Sequence, residues 1–181
     1  SGRLTDVVAQ VLNVETGGIT ISGLSAGQTS ITSTAAADID QLSRASATIM
    51  VADADLALSQ AEVAGTLNAN AGTGAVSLAD LAVSGDATIA GGAIGSDASG
   101  MGETRIGIGG SLDLDGSNVN LTDVLVADAA MLDATGDLTL DDVSLSTATI
   151  TADGALTITD ADLGATTLDA GTVLDVTNAR M

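Results

Sequence analysis

The 181-residue sequence contains no Cys, Pro, His, Lys, Phe, Tyr or Trp. Without Cys there is no disulfide framework. That absence does not fix the redox compartment, and it is compatible with a secreted protein that uses no disulfides. Without His, Lys or aromatic rings, the usual bases, acids and sugar-stacking platforms of polysaccharide-acting enzymes are missing, and only carboxylate pairs such as Asp141/Asp142 remain. The expectation is therefore a chain that is not an enzyme. The only cations are Arg3, Arg44, Arg105 and Arg180, set against 24 carboxylates, so the formal charge is 4 − 24 = −20. This argues against nucleic acid and against anionic membrane surfaces, which recruit clustered Lys and Arg. No apolar run approaches the roughly 18 residues of a membrane-spanning helix. The most apolar stretch, Val124–Leu132, is interrupted by Asp128. There is no initiating Met, and Ser1–Leu12 does not have the pattern of a signal peptide, so the expectation is a processed or excised piece of a longer chain.

What remains is a chain of small aliphatic and β-branched residues with many Gly, Asp and Thr. Its hydrophobic fraction is 45 %, which removes it from the disordered class, where high net charge goes with low hydrophobicity.

The organising stretch is Gly136–Ala170, which reads GDLTLDDVSLSTATITAD and then GALTITDADLGATTLDA. Shifted by eighteen residues, Leu138 falls on Leu156, Leu140 on Ile158, Val143 on Ala161, Leu145 on Leu163, Ile150 on Leu168 and Ala152 on Ala170. The apolar residues come in pairs spaced by two, as alternate side chains of a strand must. A longer fixed period laid over that alternation marks stacked identical units. Offsets 0, 2, 5, 7, 12 and 14 from each anchor form the inward template, and the anchors fall at 19, 37, 56, 76, 94, 119, 138, 156 and 174. The gaps are 18, 19, 20, 18, 25, 19, 18 and 18 residues, with one insertion, a loop at Gly95–Arg105, accounting for the outlier. Leu12 and Val14 read as the last strand of an incomplete first coil. Leu67 and Ala69 read as the last strand of the coil at Leu56, one residue early, and the irregular coil at Ile94 continues with strands at Ile106/Ile108 and Leu112/Leu114. Arg44 is the one misfit at an inward position.

This pattern predicts an all-β fold: a right-handed parallel β-helix with three short strands per coil and about nine coils of 18–20 residues, forming a single domain over 1–181. A left-handed hexapeptide helix would repeat an apolar residue every six positions, but Ser144 and Asp162 stand six after the two anchors. A pentapeptide rhythm is absent. Amphipathic helices would need stripes at i, i+3, i+4 and i+7 in a sequence poor in helix formers.

Stacking turns offsets into outward columns. Offset 11, with one-residue slips allowed in this column and the next and the insertion skipped, gives a Ser/Thr ladder of Ser30, Thr48, Thr66, Thr88, Ser111, Met131, Thr149 and Thr167. It is read as β propensity with hydroxyl pairing between neighbouring strands. An ice-matching plane would need a second Thr column at offset 13. There the residues are Thr32, Met50, Asn68, Ala90, Asp113, Asp133, Thr151 and Asp169. Offset 4 gives Gln41, Gln60, Asp80, Asp123, Asp142, Asp160 and Asn178, and the Asp and Asn among them suit a tight corner because they bond to nearby backbone and tolerate the left-handed conformation. Stacked carboxylates repel, and a divalent cation would relieve that. Asp123, Asp142 and Asp160 are thus candidates for weak calcium sites, which Asp115, Asp153 and Asp141 would have to complete; the alternative is solvated turn residues. GGAIGSDAS at Gly91–Ser99 is similar to the calcium nonapeptide repeat, but it occurs once and out of frame, and is read as a lead-in to the loop. The triplet Asn120-Leu121-Thr122 matches a glycosylation sequon and is given no role.

The G-x-L-T-[LI] opening and the L-D-A-G close of these units resemble the repeats of filamentous haemagglutinin-like exoproteins of the two-partner secretion class. The resemblance is clearest over Gly110–Ala170. It implies a β-helical shaft, secreted or on the bacterial surface, of a kind used in adhesion, toxin delivery or biofilm, and it supplies no catalytic residues. The functional expectation is an extracellular structural protein: a shaft or filament-forming subunit whose partner is another copy stacked end to end or a longer parent chain. The alternative is an adhesin segment that contacts host or matrix carbohydrate, or protein, through the Gly95–Arg105 loop.

Overall fold

The computed structural model describes residues 2–43, 46–96, 106–108 and 112–181. Among them every regular element is a strand: β1 (Gly2–Thr16), β2 (Ile19–Ser33), β3 (Ala37–Ser43), β4 (Ser46–Val51), β5 (Leu56–Val63), β6 (Leu67–Asn70), β7 (Val76–Val83), β8 (Ala87–Ser96), β9 (Ile106–Ile108), β10 (Leu112–Ala134), β11 (Leu138–Ala152), β12 (Leu156–Thr159), β13 (Asp162–Ala170) and β14 (Leu174–Thr177). All pairings are parallel, and the strands stack as a β-solenoid.

The nine anchors lie on one ladder. Ile19 pairs with Ala37, Ala37 with Leu56, Leu56 with Val76, Val76 with Ile94, Ile94 with Val119, Val119 with Leu138, Leu138 with Leu156 and Leu156 with Leu174. Gly2, paired with Ile19, adds a tenth position. At the usual spacing of neighbouring strands this ladder is roughly 40 Å long.

Three faces succeed one another within each coil. β2 shows how: its residues 19–25 pair with β3 over two faces, and its residues 28–33 pair with β4 on the third. One strand thus turns two corners without losing its partners. The first corner consumes a single residue in the left-handed conformation. The second is made by residues such as Gln10 and Gly27, which the β1–β2 register skips. In β10 that second corner holds an extra residue, a register shift between Val126 and Ala129, which makes this coil nineteen residues long rather than eighteen.

Alternation fills the lumen. In β11 the burial pattern switches between inside and outside residue by residue. Ile21, Ile39, Leu58, Leu78, Leu121, Leu140 and Ile158, all at offset 2, are each 0–1 % exposed. Burial of one such side chain contributes about 1.5–3 kcal/mol, so this column is a main source of stability.

The structure corrects the template on the third face, which carries three inward positions per coil rather than two. The additional one, at offset 10 or 11, holds Ala47, Leu67, Ala87, Ala130 and Ala148, all buried. With that position included, β1 is a complete coil and not the last strand of a partial one. Its Leu4, Val7, Ala9, Leu12 and Val14 pack against the core in register with β2. The same omission misplaced the third strand of two coils by two residues. Leu67 pairs with Ala47 rather than Ile49, and Leu114 rather than Leu112 pairs with Ile89. A slip of two keeps every side chain on its own face, so alternation alone cannot detect it. Arg44 and residues 97–105 of the loop lie outside the described residues.

Candidate functional site

The most regular surface feature is the first corner. Asp6, Gln41, Gln60, Asp80, Asp123, Asp142, Asp160 and Asn178 all have φ between 49° and 59°, and Gly23 stands in the same column at 73°. Every described residue predicted for this corner therefore adopts the left-handed conformation, which Asn, Asp and Gly tolerate best. Asp6 and Gly23 were missed because the first coil was read as incomplete. Between neighbouring coils the Gln41 amide donates to Gln60 Oε1 at 3.3 Å. Immediately before this column, at the end of the first face, the Ser59 hydroxyl donates to Asp40 Oδ1 at 2.9 Å.

The candidate calcium ligands take their places in this column. Asp142 and Asp160 are exposed, and Asp123 is partly so. The flanking register is regular: Thr122 pairs with Asp141, and Asp141 with Thr159. The three carboxylates are therefore displayed in a line, one per coil. Asp153 is not brought to them, because β12 separates its turn from Asp160. Asp115 lies on the third face, paired with Ala90. Among the described residues no group of three His, Cys, Asp or Glu side chains is placed to hold a metal ion.

A second set of carboxylates works on the backbone, a role that residue spacing does not reveal. At the turn that leads from one coil to the next, Asp55 Oδ1 accepts the N–H of Ala75 at 2.9 Å, and Asp137 Oδ1 accepts that of Ala155 at 2.9 Å. Asp53, with φ of 50°, accepts from the N–H and hydroxyl of Thr73 at 3.1 and 3.3 Å. Asn70 Oδ1 accepts from the N–H of Gly72 at 2.8 Å. These side chains satisfy turn amides that have left the ladder, a structural use of acidity.

The outer columns of the third face are also settled by the register. The first reads Asn13, Ser30, Thr48, Asn68, Thr88, Asp113 and, in the later coils, Met131, Thr149 and Thr167. Asn68 and Asp113 take the places expected for Thr66 and Ser111, so the hydroxyl ladder is interrupted more often than predicted. The second column contains Asn70 and Asp115 where Asn68 and Asp113 were expected.

The chain matches no protein-family model, no curated protein and no solved structure in the comparisons made.

Across the first face of four successive coils runs an open groove of about 500 Å³, lined by Ser77, Gly95, Asn120, Asp137 and Thr139 among others. It is wide because Ala75, Ala93 and Gly95 carry little or no side chain there. The loop proposed as an adhesive site begins at Gly95, and its residues 97–105 lie outside the described residues. Among the described residues no helix is long and apolar enough to cross a membrane.

Proposed function

We propose that this chain is a structural element of a bacterial cell exterior, a β-helical shaft or filament-forming subunit whose coils extend by stacking on further coils. The observation that carries this reading is the unbroken ladder from Gly2 to Leu174, in which one rung repeats with matched side chains. Such a ladder serves length and stiffness, since each coil contacts only its neighbours and the rod grows by repetition. The outer faces carry mainly Ser, Thr, Asp and Asn, interrupted by Met50, Leu125 and Met131. The likeness of its units to filamentous haemagglutinin-like repeats supports placement outside a bacterial cell.

The coils at both ends of the described solenoid expose apolar side chains. At one end the inward positions Leu174 and Met181 are 51 % and 75 % exposed, and at the other the inward Leu4, Val7, Ala9, Leu12 and Val14 are only partly buried. A second copy seated on such a rung, in a contact that does not close on itself, would cover these side chains and continue the ladder.

Two measurements test the proposal. Antibodies against the chain should label intact, unpermeabilised source cells; label confined to the cell interior overturns the exterior assignment. Negative-stain images of the purified chain at rising concentration should show thin rods that lengthen end to end. Dispersed particles of constant length at every concentration would remove self-stacking and leave the shaft as part of a longer chain.

A further inference from the structure

We draw no further inference here: the strongest candidate, the open groove across the first face between Ser77, Gly95, Asn120 and Thr139, is a stripe of small side chains, and nothing in the structure points to what would occupy it.

Discussion

Asp137 Oδ1 accepts the backbone N–H of Ala155 at 2.9 Å, across eighteen residues of sequence and one rung of the solenoid. Asp55 does the same for Ala75, twenty residues on. The bond recurs because each coil must leave its third face and begin the next, and the amide at that step has no ladder carbonyl to meet. Replacing Asp137 or Asp55 by Ala should lower stability by about 0.5–1.5 kcal/mol, toward the low end because water reaches both sites. The urea midpoints of D137A and D55A measure it. Midpoints equal to that of the parent chain would mean that water replaces the carboxylate at no cost.

The lumen makes a sharper prediction through two residues of one column. Leu156 is fully buried between Leu138 and Leu174, while Leu174, its partner on the other side, is 51 % exposed. Leu156→Ala should cost about 2–5 kcal/mol, the range for a buried leucine that leaves a cavity. Leu174→Ala should cost less than half as much, because the removed atoms already meet solvent. Equal effects would show that Leu174 is covered in solution. A concentration-dependent gap between the two variants would identify the cover as another copy.

The corner column separates backbone conformation from charge. At Asp142, φ is 51°. Val is β-branched and cannot adopt that conformation without strain, so Asp142→Val should destabilise by about 1–2 kcal/mol. Asp142→Asn keeps a side chain that tolerates the left-handed region and removes one charge from the line, so it should be neutral or stabilising. Thermal unfolding followed by circular dichroism distinguishes them. Equal losses for both variants would mean that the carboxylate itself holds the corner.

These contrasts mark what was legible in the residues. The period of eighteen and the alternation placed Leu138 on Leu156 and named every anchor from Ile19 to Leu174, because a buried lumen accepts only apolar side chains at fixed intervals. The first corner was legible for a different reason: few residue types tolerate positive φ, so Asp and Asn recurring at one offset identified it, while Gln41 and Gln60 followed from the period alone. The third face was not legible in full. Its extra inward position holds Ala47, Ala87, Ala130, Ala148 and Thr29, residue types found on either side of a sheet, and a two-residue slip leaves the alternation intact, so the pattern sets Leu67 and Leu112 against the wrong neighbours. The backbone role of Asp55 and Asp137 was also hidden. An Asp in a turn has the same appearance in sequence whether it meets solvent or an amide one coil away. The candidate metal ligands were correctly placed in one column, but spacing along the chain carries no information about whether carboxylates converge.

Thr29 occupies one of those overlooked inward positions. It is 4 % exposed, stands between Leu12 and Ala47 on the ladder, and its hydroxyl has no hydrogen-bond partner among the described residues. Ser33, on the same strand and fully buried, instead donates to the carbonyl of Ala35 at 2.6 Å. Thr29→Val preserves shape and removes the unsatisfied hydroxyl, so it should raise stability by about 1–2 kcal/mol. Ser33→Ala should lower it. If Thr29→Val destabilises the chain, the hydroxyl has a partner in solution, such as a buried water.

The acidity of the whole chain gives the last prediction. With 24 carboxylates against four arginines, and one corner carboxylate per coil at Asp123, Asp142 and Asp160, repulsion accumulates along the rod. Neighbouring charges one strand spacing apart repel by about 1 kcal/mol in water before screening. The Debye length is about 30 Å at 0.01 M salt and about 10 Å at 0.1 M. The urea midpoint should therefore rise as sodium chloride is added, and rise less in Asp142→Asn. Calcium chloride at matched ionic strength separates screening from binding. Because the three carboxylates stand in line and do not converge, the two salts should give the same midpoint. An additional rise with calcium that disappears in Asp142→Asn would instead establish a cation held between coils.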